Sequence, residues 1–269
     1  MIDREDGSSL ETFKPSYELG VEGINLLTSE LLDKRVESDL SGRRFITVEI
    51  DGKDRFSNIG RFVEKTVFDS SFGNDAEQMD EEYGPYENAS IFFLSIDQVS
   101  RKSVGVMRVI GNSEKGLKTI NDAKGEPFNV TLEDVVEKHR IDDLNKVWDV
   151  GTVAVLPEYR GTEGGLVSIQ LYRTLYLSSL THDIEHWVSI VDNKLLRMLQ
   201  DFFAMPFVQL ADSQPGPYLG SEKSHAVYSK VSELFDSVEK RMQISTNPRA
   251  KKILERLIGG EDDSSIILG

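Results

Sequence analysis

Residues 153–165, Val-Ala-Val-Leu-Pro-Glu-Tyr-Arg-Gly-Thr-Glu-Gly-Gly, run directly into a long helical pattern, and this junction constrains the fold more than any other stretch. Val153, Val155 and Leu156 make a mostly apolar strand, and Pro157 ends it by removing a ladder donor. Gly161, Gly164 and Gly165 let backbone amides face one point without interference from a Cβ. The helix beyond carries apolar residues at Leu166, Ile169, Tyr176, Leu177 and Leu180, a spacing that buries one face. Thr162 is its expected N-cap, and the amides and positive dipole end of its first turn then sit where the glycines converge. Glycines in an ordinary strand-to-helix turn merely relieve strain. Arg160 tilts the balance toward an anion site, because a cation beside an amide nest suits a pyrophosphate.

The remaining pattern reads as alternating short strands and helices. Helices are expected at 21–36, 59–68, 131–140, 232–242 and 248–258, and strands at 45–50, 90–96, 103–110, 149–155, 186–192 and 225–231. A further helix opens at Asn193 with Leu195, Leu196, Leu199, Phe202 and Phe203. Residues 69–89 read as an acidic, glycine-containing loop. The expected organisation is a flexible segment at 1–19, a single domain at 20–242, a C-terminal helix at 243–258 and a disordered tail at 259–269.

Composition narrows the classes. A chain of 269 residues, 39% hydrophobic, can bury one large core or two unequal lobes. With no cysteine there is no disulfide, thiol nucleophile or cysteine zinc site. The histidines at 139, 182, 186 and 225 show no metal-ligand spacing, and no metal is expected. The start of the sequence is acidic and polar, and no apolar run approaches the roughly 20 residues of a membrane helix, so a cytoplasmic protein without membrane insertion is expected. A net charge of −15 with no basic stripe argues against nucleic acid as a partner.

Val-Ala-Val-Leu-Pro-Glu-Tyr-Arg-Gly at 153–161 resembles the cofactor-binding motif of the GNAT superfamily of N-acyltransferases, Val-x-x-x-Pro-x-x-Arg/Gln-x-x-Gly-x-Gly/Ala. Arg160 and Gly165 match its first and last marked positions, and Glu163 stands where the middle glycine belongs. The resemblance runs from about residue 60 to about 230. It implies an α/β (α+β) fold with a mixed, mostly antiparallel central sheet, flanking helices and a splayed central strand. It further implies an acyl-coenzyme A or acyl-carrier-protein donor, with Val153, Val155, Arg160, Gly161, Gly164, Gly165 and Asn193 holding it and a small-molecule amine as acceptor. The acidic surface opposes an anionic carrier protein, which makes soluble acyl-coenzyme A the simpler donor.

Two further segments are similar to the acyl-homoserine-lactone synthases and N-acyl amino acid synthases within that superfamily. Val104-Gly-x-x-Arg108 is like their Val-Gly-x-x-Arg-Leu, and Asp149-Val-Gly-Thr-Val-Ala-Val155 occupies the frame of their Glu-x-x-Arg-x-Ala-Val, with Thr152 in place of the arginine. By this resemblance Asp149 takes a proton from the acceptor amine, and Arg108 and Thr152 contact substrate. Counting back from Phe207 puts Phe202 where the family has a tyrosine acid, leaving Tyr218 as the nearest hydroxyl to replace it. Each has a plainer alternative: a solvated strand-end acid for Asp149, an outward-facing strand cation for Arg108, and packing on prolines for Tyr218; Arg108 shares the face of Val106 and Ile110, where a charge needs a partner or an anionic ligand. The altered residues at 152, 163 and 202 also fit a noncatalytic relative that senses an acyl thioester or amino acid.

Overall fold

The computed structural model describes residues 13–35, 43–160, 164–259 and 266–267. Among the described residues nine strands form one mixed sheet: β1 (Phe45–Asp51), β2 (Ser90–Asp97), β3 (Lys102–Ile110), β4 (Val147–Val155), β5 (His186–Asp192), β6 (Val208–Gln209), β7 (Gly216–Tyr218), β8 (Ser221–Lys230) and β9 (Ile266–Ile267). Their order is β6-β8-β5-β4-β3-β2-β1-β9, with β7 also paired to β8. Only β4 with β5 and β1 with β9 run parallel, so the sheet is mostly antiparallel, as expected.

The sheet's alternation sorts side chains onto two faces. Phe92 and Leu94 of β2 and Val106 of β3 pack with α1 (Val21–Arg35) and α2 (Ser57–Phe72). Phe93, Met107 and Val109 turn to the other face, covered by α6 (Gly164–Thr181) and, further along, α8 (Glu233–Ile244) and α9 (Pro248–Ile258). On the face of α1 and α2 lie also α3 (Ala76–Tyr83), α4 (Lys118–Ala123) and α5 (Leu132–His139), while α7 (Asn193–Phe202) adds Leu196 and Leu199 to the opposite core. None of the described helices is long and apolar enough to cross a membrane.

Gly105 explains how closely α6 approaches: a Cβ there would stand 2.7 Å from Val167 Cγ1. The face that α6 buries runs through Val167, Leu171, Tyr172 and Leu175 together with Ile169 of the expected set; Tyr176 packs half-buried against the same core, and Leu180 lies in solvent. The periodicity was ambiguous because apolar residues lie on more than one side of the helix and the polar Arg173, Thr174, Ser178 and Ser179 are buried too, and the close contact with β3 decides the rotation.

Three other expectations are corrected. Residues 69–89 are largely helical: Asp75 caps α3 by accepting from the Gln78 amide at 3.0 Å, and Met79 and Tyr83, four apart, are buried. Within the segment expected to be flexible, Tyr17 is buried and bonded to Glu87 at 3.1 Å, while residues 1–12 lie outside the described residues. In the tail expected to be disordered, Ile266 and Ile267 pair with Thr47 and Val48, since two β-branched residues suit the open edge of β1.

Gly105→Val should lower unfolding stability by about 1–3 kcal/mol by forcing α6 off β3. Urea denaturation measures this, and an unchanged midpoint would show that the helix yields freely.

Candidate functional site

The parallel pairing of β4 with β5 stops early. Val147 faces His186, Trp148 faces Trp187 and Asp149 faces Val188, and beyond that the strands part although β4 continues to Val155 and β5 to Asp192. Two local devices accompany the parting. The β3–β4 register shifts between Arg108 and Val109, which places a bulge at Gly151, and Ser189 Oγ donates to the carbonyl of Val150 at 2.7 Å. Gly151 fits there because a Cβ would press on Ile110 Cδ1 at 3.2 Å.

Beyond the parting, β4 has one paired and one free edge. The Leu156 amide donates to Val104 at 3.0 Å, so by alternation the amides and carbonyls of Val153 and Val155 point away from β3, into the gap. Arg160 Nε donates to the Val155 carbonyl at 2.9 Å, which fixes the guanidinium beside that edge.

A cavity of about 300 Å³ fills the gap and reaches through the sheet. On one face Val67, Phe68 and Phe72 of α2 and the Tyr218–Leu219 turn bound it; on the other do Tyr172 and Leu175 of α6 and Leu195 and Leu199 of α7. Thr152, Val153, Ser189, Asp192 and Arg160 complete the wall. Burial alone would raise the Asp192 carboxyl, but the Ser221 hydroxyl and the amides of Lys194 and Leu195 hold it below its usual range.

The residues singled out from the sequence divide into three groups. Val153, Thr152, Arg160 and Tyr218 line the cavity. Gly165 lies in the first turn of α6 with open space where a Cβ would be, and Gly164 begins that helix; Gly161, Thr162 and Glu163 lie outside the described residues. Val155, Asn193, Arg108 and Asp149 are not in the cavity wall. Val155 is buried in the α6 core, and Asn193 Oδ1 meets His225 Nε2 at 3.1 Å. Phe202 is 58% exposed on the outer face of α7, so the position matched to the family tyrosine does not face the cavity.

Arg108 is neither an outward-facing cation nor a lining residue of the cavity: its partners are two buried carboxylates. It is fully buried, with Nε 3.0 Å from Glu64 Oε1 and a second nitrogen 3.2 Å from Glu87 Oε1, and its guanidinium lies over the Tyr83 and Phe92 rings. Arg61 closes the network through Glu87, Ser57 and Asn58. Burial opposes its charge, but Glu64 and Glu87 drive the Arg108 pKa well above the ordinary value. The Thr152 hydroxyl donates to Glu64, so Thr152 stands between this network and the cavity.

Asp149 is 1% exposed and points at α4, accepting from both the amide and the hydroxyl of Thr119. Burial pushes its carboxyl up to about 7. Tyr218 reaches the same helix from the cavity side: its hydroxyl donates to Asp122 and accepts from Lys118 at 3.1 Å, while Lys118 also pairs with Glu82 at 2.8 Å. Burial raises the Tyr218 phenol far above its usual range and keeps it protonated. The structure thus brings Asp149 and Tyr218 to successive residues of α4 without direct contact. Ser189, Asp192, Tyr172 and Glu64 went unnoticed in the sequence; the early end of the β4–β5 ladder and the through-sheet position, which no local pattern encodes, give them their places.

No family model matches the chain, and no curated protein matches it in sequence. Among solved structures, FeeM, an N-acyl amino acid synthase from uncultured soil microbes, has a TM-score of 0.52 at 12% identity, over 72% of this chain and 94% of that one. BjaI, a CoA-dependent acyl-homoserine lactone synthase solved with MTA, has a TM-score of 0.50 at 13% identity, over 84% of this chain and 93% of that one. At such identity the likeness is one of fold: the chain has a GNAT-like fold that resembles this branch of acyltransferases.

Because the Asp149 carboxyl rises from 3.8 to about 7 on folding, the folded state holds the extra proton between those values. Its contribution to stability therefore falls as pH rises through that window and levels off above it. Asp149→Asn should gain stability relative to the native chain across the same window. Urea midpoints on either side of it measure the change, and a constant difference would show that Asp149 titrates normally.

Proposed function

We propose that the protein is an N-acyltransferase, moving an acyl group from a thioester to the amine of a small molecule. The observation that carries this reading is the slot opened where β4 and β5 part, apolar along most of its wall and bordered by a free strand edge. A phosphopantetheine arm is a chain of amides, and the outward amides of Val153 and Val155 and the carbonyl of Val153 match its need for hydrogen-bond partners. Arg160 and the N-terminus of α6, uncrowded at Gly165, suit the diphosphate of coenzyme A. An acyl-carrier protein would bring the same arm but would meet a chain of net charge −15, so coenzyme A is the proposed donor.

The bound thioester supplies an electrophilic carbonyl and a thiolate leaving group. The chain's part is to orient it against β4 and to present a backbone N–H of the free edge to the developing oxyanion. The amine nitrogen forms the new C–N bond as the C–S bond breaks; the amine gives up one proton, and the thiolate takes one from water. Tyr218 is the proposed carrier of the amine's proton, accepting at its oxygen while its own proton passes to Asp122. Asp149 enters as support for α4, since its oxygens are held by Thr119.

The engagement of Asp149 and the outward position of Phe202 favour one competing reading, a noncatalytic protein that binds an acyl thioester. Release of free thiol from acyl-coenzyme A with a panel of primary amines separates the two. The transferase reading predicts acceptor-dependent thiol, whereas saturable binding without turnover would leave the sensor. Arg160→Ala should weaken acyl-coenzyme A binding by about 1–3 kcal/mol, the worth of a charge-assisted phosphate contact. Unchanged affinity by calorimetry would remove Arg160 from the donor site.

A further inference from the structure

Two charged side chains stand in the wall of the slot among the described residues, Arg160 and Asp192. Arg160, bonded to the Val155 carbonyl at 2.9 Å, is the proposed partner of the donor's diphosphate. Asp192 closes β5, on the far side of the gap. It follows Val188 and Ile190 by alternation, and those two pack in one cluster with Tyr218. Asp192 therefore shares the face of the sheet on which the proposed proton carrier lies.

The carboxylate is held in place without being used up. One oxygen accepts from the Lys194 amide at 2.8 Å, which caps α7, and the other from the Ser221 hydroxyl at 2.7 Å; Ser221 is itself part of the slot wall. The Leu195 amide adds a third neutral donor, and a carboxylate offers about four acceptor sites. The side chain is half-buried, so a ligand in the slot can reach it. Lys194 and His225 feel its charge, yet among the described residues no cation forms an ion pair with it. A carboxylate without a counter-ion, set in a wall that is otherwise mostly apolar, is stabilised by a cation brought in from outside.

The chemistry says which cation. The nitrogen that attacks the thioester must be neutral, and a fixed carboxylate beside it would hold its proton in place. What Asp192 suits is a second positive charge, one that the reaction leaves untouched. We infer that the acceptor is a diamine: one amine is acylated on the Tyr218 side of the slot while the other, still an ammonium, pairs with Asp192. A simple amino acid would bring a second carboxylate to this wall instead. The inference rests on the transferase reading and names the acceptor class within it.

Thiol release from acyl-coenzyme A tests it, measured with putrescine and cadaverine against butylamine and pentylamine, in the native chain and in Asp192→Asn. Asparagine still caps a helix, so the variant removes the charge and keeps the start of α7. The native chain should use each diamine about tenfold more efficiently, in kcat/KM, than the monoamine of equal length. Asp192→Asn should lose that preference, with the loss carried by KM for the diamine rather than by kcat. Equal use of diamine and monoamine by the native chain, or a preference that survives in Asp192→Asn, would overturn the inference while leaving the transferase reading in place. If no primary amine releases thiol, the transferase reading itself falls, and this inference with it.

Discussion

The candidate site depends on a sheet that stops being a sheet in its middle. Strands β4 and β5 share three residue pairs and then separate, which strips one edge of β4 of its ladder. Unpaired backbone groups inside a protein need a partner, and the chain supplies only part of the need: Ser189 takes the Val150 carbonyl and Arg160 takes that of Val155. The bulge at Gly151 lets β4 keep its pairing with β3 while it bends away from β5. Helices α2 and α6, on opposite faces, then close over the gap and make it a lined slot.

Beside the slot the chain carries four fully or nearly buried charges, Arg61, Arg108, Glu64 and Glu87, which neutralise one another. Such a network is costly to desolvate and more costly to break, since any single loss strands an opposite charge in the interior. Tyr17 and Thr152 add hydroxyls to it, tying the segment before α1 and the wall of the slot to one set of bonds. The position of the slot's α2 side is therefore set by electrostatics, and that of its α6 side by the close packing of Val167 on Gly105.

Much of the fold was legible in the sequence. The strands at 45–51, 90–97 and 102–110 stand out as short apolar runs, and α5 is marked by its Thr131–Asp134 capping box. The junction at 153–165 disclosed the strand and the helix that flank the slot, although its central glycine lies outside the described residues. Side-chain roles were harder to read. Arg108 looked like a ligand contact because Glu64 and Glu87 are 44 and 21 residues away, and spacing in the chain cannot show that they meet it. Asp149 was known to be acidic and on the right strand, but which face it took depended on the register of β3 and on α4, a six-residue helix too short to announce itself. Tyr172 was passed over because the buried face of α6 is decided by its contact with β3.

Hydrogen exchange of individual backbone amides, with and without acyl-coenzyme A, tests the central claim most directly. If the free edge of β4 holds the donor, the amides of Val153, Val155 and Gly165 should slow on addition while those of α5, which contributes nothing to the cavity wall, stay unchanged. Exchange at 153, 155 and 165 that is indifferent to a saturating donor would contradict the account.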